Sequence, residues 1–86
     1  EMQKYINFAN EKGIKYIESY TNFIVLFVEN STKIAQELLK KGIIIRDMAS
    51  YGFSAIRITI GKPEENDKLL KILREISWIL KRYLNR

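Results

Sequence analysis

The chain has 86 residues, 47% of them hydrophobic and 29% charged, a composition typical of one folded domain. It contains neither cysteine nor histidine, which excludes disulfides, thiolate nucleophiles, imidazole bases and zinc sites with the usual ligands. The net charge is +5, and no apolar run is long enough to cross a membrane. We expect one domain over residues 1–86 that binds no membrane. A cysteine-free chain does not reveal its redox compartment, and the cytoplasm is the default expectation.

The first half of the chain predicts two helices and two strands. They are a helix over residues 2–12, strands over 14–17 and 23–28, and a helix from a cap at Asn30 or Ser31 to Gly42. Gly13 ends the first helix, because glycine readily adopts the left-handed conformation of a helix C-terminus. The continuous apolar run at residues 23–28 is typical of a strand covered on both faces.

The second half predicts two more strands and a last helix. They are a strand over residues 43–46, a loop that contains Ser50-Tyr51-Gly52, a strand over 55–60 and a helix that begins at Pro63. The apolar stripe of that helix comprises Leu69, Leu73, Ile76, Leu80 and Tyr83. Trp78 falls on the opposite side among cations, which indicates a missing partner surface, stacking of the ring with an arginine, or a ring that lies over lysine stems.

The predicted order of elements, α-β-β-α-β-β-α, indicates an α+β fold. We expect a two-layer sandwich in which a small, mostly antiparallel sheet carries the helices on one face. Folds of this kind support many activities, so the function has to be argued from particular side chains.

The most informative side chain is Arg57, which lies in the predicted strand over residues 55–60. The isoleucines of that strand recur at every second position, as Ile56, Ile58 and Ile60. Arg57 therefore points to the other face, where its neighbours are the small residues Ala55 and Thr59. Its planar guanidinium can bind a carboxylate or phosphate through two parallel hydrogen bonds. The alternative is an arginine that reaches water or pairs with Asp47 or a glutamate.

Several motifs together resemble histidinol-phosphate aminotransferase. They are, in order, Asn22-Phe23, Gly42-Ile43-Ile44-Ile45-Arg46, Tyr51-Gly52, Ile56-Arg57-Ile58-Thr59-Ile60-Gly61 and Pro63-Glu64-Glu65-Asn66. The chain is similar, over about residues 14–76, to the C-terminal small domain of this fold-type I, pyridoxal-phosphate-dependent enzyme. Asp47 stands where the family often has proline. A related aminotransferase or a threonine-phosphate decarboxylase therefore stays open.

The resemblance implies a role in binding substrate. In that family the small domain closes over the cofactor and supplies arginines for the anionic end of the substrate. Arg57 matches the main anion-binding arginine and Arg46 its companion, and Asn22 is expected to line the same cleft. The implied substrates are histidinol phosphate and glutamate or 2-oxoglutarate, in histidine biosynthesis, and the implied parent enzyme is a homodimer.

The catalytic groups of transamination are missing from the chain. None of its ten lysines lies in the Ser-x-x-Lys setting that the family uses, and there is no glycine-rich phosphate loop. We therefore expect no catalytic, cofactor-binding or metal-binding residue in this fragment. A large domain preceding residue 1 would hold pyridoxal phosphate, and the fragment alone should neither bind it nor be catalytic.

A small RNA-binding domain is the first alternative. Residues 51–56 resemble a motif that stacks bases on a sheet, but Tyr51 replaces its basic residue and Ala55 its second aromatic residue. The predicted sheet face lacks aromatic side chains. The positive excess lies in residues 68–86, which we interpret as a solvated helix face, so we expect no nucleic-acid partner.

A ligand-sensing regulatory domain of the α+β type is the second alternative. Such a domain would pair with a second copy of itself across a sheet edge or a helix face. The short chain and the predicted exposure of Trp78 fit this class.

Overall fold

The computed structural model describes residues 1–19 and 21–76 and confirms the predicted order of elements. Within this part of the chain the helices are α1 (Met2–Lys12), α2 (Ser31–Lys40) and α3 (Pro63–Glu75). The strands are β1 (Lys15–Glu18), β2 (Phe23–Phe27), β3 (Arg46–Asp47) and β4 (Ala55–Thr59), with a 3-10 helix, Met48–Tyr51, between β3 and β4. The predicted positions of Trp78, Leu80 and Tyr83 lie outside the described residues. No helix in the described ranges is both long and apolar enough to cross a membrane.

The four strands form one antiparallel sheet in the order β1-β2-β4-β3. One face carries the buried side chains of the two central strands, Ile24, Leu26, Ile56 and Ile58. They belong to one apolar cluster with inward residues of all three helices: Tyr5, Phe8, Ile34, Leu38, Leu69 and Leu73. Each large apolar side chain removed from water contributes about 1.5–3 kcal/mol. The predicted two-layer α+β fold with helices on one face is confirmed.

The helix boundaries follow from local sequence signals. α1 ends at Gly13, whose φ of 69° is the left-handed conformation that glycine adopts without steric cost. Asn30 caps α2, because its side chain accepts a hydrogen bond at 3.3 Å from a backbone N–H of the first turn. α2 stops at Lys40, just before the predicted stop at Gly42. α3 begins at Pro63, as predicted.

The predicted third strand over residues 43–46 is mostly wrong, because only the two residues of β3 pair with β4. Residues 43–45 leave the sheet. The N–H of Ile43 donates to the carbonyl of Leu38 near the end of α2, at 3.0 Å. This bond holds the segment beside the helix, and Ile44 is 85% exposed. A gap therefore separates the segment from β4.

The expectation that β2 is covered on both faces is also wrong. Ile24 and Leu26 are buried under the helices, whereas the alternating residues Phe23, Val25 and Phe27 are only half-buried. The described helices leave their side of the sheet uncovered. The remaining differences are small: β1 starts one residue later than predicted, and the predicted loop contains the 3-10 helix.

We call this uncovered side the open face, defined by Ile17, Phe23, Val25, Phe27, Arg46 and Arg57. Side chains of cross-strand partners share a face, so Ile17, Val25, Arg57 and Arg46 form a row across the four strands. The prediction that the sheet face lacks aromatic residues is therefore wrong. The aromatic rings come from β2. Phe23 and Phe27 lie two positions before and after Val25, the register partner of Arg57, so both are diagonal neighbours of Arg57 on this face.

Candidate anion-binding site

Arg46 and Arg57 lie directly opposite each other on neighbouring strands. They are register partners in the β3–β4 ladder, so their Cα atoms are about 4.5–5.5 Å apart and their side chains share the open face. Like charges in such directly paired positions destabilise a sheet. The structure therefore brings together the two predicted arginines at a local electrostatic cost.

Neither arginine is neutralised by a carboxylate of the described residues. Arg46 Nη1 donates a hydrogen bond to the Tyr51 hydroxyl at 2.9 Å. The guanidinium carbon of Arg57 lies 5.0 Å from the centre of the Phe23 ring. A phenol oxygen and an aromatic face each stabilise a cation without cancelling its charge. Within the described residues, neither of these two neighbouring arginines therefore has an acidic partner.

Asp47 is next to Arg46 in sequence, but its carboxylate is engaged elsewhere. It accepts hydrogen bonds from the hydroxyls of Ser31 and Thr32, both at 2.6 Å, and from the N–H of Ala49 at 3.0 Å. Partial burial alone would raise the pKa of Asp47, but these hydrogen bonds outweigh it and hold the pKa below its ordinary value. The alternative in which Arg57 pairs with Asp47 is therefore wrong.

A cleft of about 810 Å³ lies beside the two arginines, in the gap left by residues 43–45. Its walls include Arg46 and Arg57 of the sheet and Lys68 of α3. Of the two lining acids, Asp47 is bound to the first turn of α2, and Glu65 accepts the N–H of Lys62 at 2.8 Å. The cleft is therefore open, has three basic and two acidic residues in its walls, and is of a size that suits a small molecule.

The buried amide of Asn66 holds the rim of this cleft together. Its side chain is 1% exposed and bonds both to the N–H of Gly61, at 2.9 Å, and to its carbonyl, at 2.8 Å. It also accepts from the hydroxyl of Tyr5 at 3.0 Å. Burial, together with the nearby acids, raises the pKa of Tyr5 to about 12, so the phenol keeps the proton that it donates. The sequence interpretation quoted Asn66 in a motif but gave it no role.

Asn22 does not lie among the residues that line the cleft. It precedes β2 and is exposed, and its backbone carbonyl accepts the N–H of Ile60 at 2.7 Å. That bond extends the β2–β4 ladder by one residue. Contact between the Asn22 side chain and substrate stays a prediction.

The lysines are the groups that could form a Schiff base with pyridoxal phosphate. A lysine that forms a Schiff base must be available as the neutral amine, and burial or a neighbouring cation is what favours that form. Every lysine within residues 1–19 and 21–76 is exposed or half-buried on the surface. No group of three or more metal-ligating side chains occurs in these ranges either. The chemistry that the paired guanidinium groups offer is hydrogen bonding to anionic oxygens.

Several curated proteins that are similar to this chain are named histidinol-phosphate aminotransferase. The protein of Campylobacter hominis is 51% identical over 79 residues, which is 88% of this chain and 22% of the relative. The protein of Campylobacter jejuni serotype O:6 is 55% identical over 80 residues, 86% of this chain and 22% of the relative. The protein of Leptospira interrogans is 48% identical over 79 residues, with shares of 87% and 21%. No protein-family model matches the chain.

A solved structure agrees with these relatives. A Burkholderia pseudomallei protein assigned as an aminotransferase superposes with a TM-score of 0.79 and 28% identity, over 88% of this chain and 24% of that protein. The chain spans about one fifth of the length of the curated relatives it matches. The resemblance identified from the sequence is confirmed: the chain is homologous to one segment of histidinol-phosphate aminotransferases.

Proposed function

We propose that this chain is the substrate-anion-binding small domain of a pyridoxal-phosphate-dependent aminotransferase. Its substrates would be histidinol phosphate and glutamate or 2-oxoglutarate, exchanged in histidine biosynthesis. The observation that carries the proposal is the cross-strand pair of uncompensated arginines, Arg46 and Arg57, beside an open cleft. The homology to histidinol-phosphate aminotransferases supports this choice among the many ligands that an arginine pair could bind.

The arginine pair suits an enzyme that has to bind two kinds of anion at one place. Each guanidinium presents a planar fork that matches either two phosphate oxygens or both oxygens of a carboxylate. Each charge-assisted hydrogen bond is worth about 1.5–3 kcal/mol. The Phe23 ring under Arg57 orients the fork while leaving its charge available. In this proposal the role of the chain is to bind and position substrate.

The transamination chemistry belongs, in this proposal, to a large domain outside residues 1–86. Aminotransferases use pyridoxal phosphate held by a lysine, and the relatives are about five times as long as the part they share with this chain. Exposed apolar side chains on and near the open face support the existence of a domain that covers it. Ile17 is 56% exposed, and the neighbouring loop residues Tyr51 and Phe53 are 57% and 54% exposed. The homodimer, the cytoplasmic location and the absence of nucleic-acid and membrane partners stay predictions.

The test is the substitution Arg57→Lys in the complete enzyme, with KM and kcat measured for histidinol phosphate. Lysine keeps the positive charge but loses the fork, so we expect KM to rise at least about tenfold. Arg74→Lys is the matched control, because Arg74 also lies over a phenylalanine ring but is already paired with Glu11. Equal kinetics for Arg57→Lys and the wild type would show that Arg57 does not bind the substrate anion and would contradict the proposal.

One observation favours a second candidate, binding of single-stranded nucleic acid. Phe23 and Phe27 lie on the open face with two arginines, and aromatic rings with cations are what such proteins use to stack bases. Anisotropy of a labelled single-stranded RNA distinguishes the two candidates. Nucleic-acid binding predicts an affinity that falls steeply between about 50 and 200 mM salt, because phosphate contacts release counterions. No binding to the RNA at either salt concentration would exclude this candidate.

A further inference from the structure

We propose that the hydroxyl of Tyr51 is a third donor at the anion site and makes the site prefer phosphate to carboxylate. The proposal rests on the function proposed above and adds a specificity-determining residue to it. Its starting point is the contact between Arg46 Nη1 and the Tyr51 oxygen, at 2.9 Å. The sequence interpretation placed Tyr51 in a loop and gave it no contact with either arginine.

The contact leaves the phenol proton of Tyr51 unused. Arg46 is the donor in this bond, since a guanidinium carries no acceptor, so the Tyr51 oxygen accepts. A phenol can accept one hydrogen bond and still donate its own proton. No acceptor for that proton occurs among the described residues, and 57% of the Tyr51 side chain is exposed. An O–H donor is therefore free beside the guanidinium of Arg46, whose register partner is Arg57.

The backbone holds Tyr51 in this place. The 3-10 helix follows β3 without a break, and Asp47 caps it by accepting the N–H of Ala49 at 3.0 Å. Gly52 closes it with a φ of 88°, a left-handed conformation that favours glycine, and donates its N–H to the Ala49 carbonyl at 3.0 Å. This single turn returns the chain toward β3, so Tyr51 meets Arg46 five positions after it.

The number of oxygens on the ligand decides whether a third donor is useful. A carboxylate has two oxygens, and one guanidinium fork can bind both. A phosphate or phosphate monoester dianion has at least three terminal oxygens that accept hydrogen bonds. With Arg46 and Arg57 each holding part of the phosphate, one oxygen edge is left for the Tyr51 hydroxyl. On a carboxylate, both oxygens are already bound by a guanidinium, and no further oxygen is left for the hydroxyl. Removing the hydroxyl should therefore weaken the binding of phosphate and leave the binding of carboxylates unchanged.

The experiment compares inorganic phosphate with acetate on the 86-residue chain, at a pH where phosphate is a dianion. Binding is followed by NMR shifts of the arginine Nε–Hε signals in the wild type, Tyr51→Phe, Tyr16→Phe and Arg57→Gln. We expect Tyr51→Phe to weaken phosphate binding about tenfold and to change acetate binding less than about twofold. Tyr16→Phe is the matched control, because Tyr16 is half-buried in β1 on the core side of the sheet. Backbone amide spectra check that each variant is folded.

The outcomes separate this inference from the proposed function. Equal weakening of phosphate and acetate by Tyr51→Phe overturns the specificity role. No effect of Tyr51→Phe, with phosphate binding lost in Arg57→Gln, also overturns it but leaves the arginine site in place. Unchanged phosphate binding in Arg57→Gln, or no binding of either anion to the wild type, overturns the proposed function and the inference together.

Discussion

Two arginines of this chain lie over phenylalanine rings, in opposite electrostatic surroundings. The guanidinium of Arg57 is 5.0 Å from the centre of the Phe23 ring, and that of Arg74 is 5.4 Å from the centre of the Phe8 ring. Arg74, on α3, also forms an ion pair with Glu11 of α1. Arg57 has no acidic partner among the described residues and faces a second arginine across the ladder. Both arginines therefore contact an aromatic ring, but only Arg74 has an acidic partner among the described residues.

This difference shows which of the two regions is a candidate site. The pair of Arg74 and Glu11 is about half-exposed, and exposed pairs of this kind contribute about 0–1 kcal/mol to stability. This ion pair joins α1 and α3, and its two charges balance each other. Arg57 projects from a central strand, where its position is set by the ladder, and no acid of the described residues pairs with it. The missing counter-charge, rather than the aromatic contact, makes Arg57 the candidate for ligand binding.

Placing an acid next to Arg57 should have the largest effect on phosphate binding, because Arg57 would then have a carboxylate partner, as Arg74 has. Thr59 is exposed and follows Arg57 by two positions on the same face of β4, so Thr59→Glu places a carboxylate beside the guanidinium. We expect phosphate to bind about thirty- to a hundredfold more weakly, about 2–3 kcal/mol, from lost attraction and added repulsion. Titration with inorganic phosphate measures this. Thr59→Gln has the same shape without the charge, and equal binding by both variants would contradict the electrostatic explanation.

Removing the carboxylate of Asp47 should have an intermediate effect on stability. Asp47→Ala deletes the acceptor of three hydrogen bonds that join β3 to the first turn of α2 and to the 3-10 helix. We expect the free energy of unfolding to fall by about 1–2 kcal/mol, measured by chemical denaturation. Phosphate should also bind more weakly, because these hydrogen bonds hold β3 in place and Arg46 belongs to β3. A gain in phosphate affinity would show that Asp47 does offset the charge of Arg46.

The same carboxylate predicts a pH dependence of stability. Hydrogen bonds hold the pKa of Asp47 in the folded protein below its ordinary value of 3.8. A carboxyl with a lowered folded pKa stabilises the fold above its unfolded pKa, and this stability is lost as the pH falls through the folded pKa. The stability difference between the wild type and Asp47→Asn should therefore be constant at neutral pH and shrink below about pH 4. A difference that grows on acidification would contradict this assignment.

Freeing Arg74 from its acid should have the smallest effect. Glu11→Gln removes the charge of an exposed ion pair, so we expect unfolding to become easier by less than about 1 kcal/mol. Phosphate should not bind at Arg74, because a single guanidinium without a paired second one gives only one fork. NMR shifts of the Arg74 Nε–Hε signal on addition of phosphate measure this. Phosphate binding there would break the rule that two opposed arginines are needed.

The sequence alone predicted the parts of this protein that depend on neighbouring residues. The glycine at the end of α1 and the proline that begins α3 act within one helical turn, so their positions could be predicted, and the cap of α2 was narrowed to Asn30 or Ser31. The alternation of isoleucines in β4 likewise placed Arg57 on the face opposite the core. The motifs that surround Arg46 and Arg57 also identified the homologous aminotransferases.

Only the tertiary structure decided how these parts form a site. The register that sets Arg46 against Arg57 depends on pairing between distant strands, and the departure of residues 43–45 depends on a bond to α2. Asp47 could have neutralised Arg46, but the hydroxyls at the start of α2 take its carboxylate instead. Contacts such as these join residues far apart in sequence, and periodicity carries no information about which of them will meet. The charge left on the arginine pair is therefore a property of the folded chain.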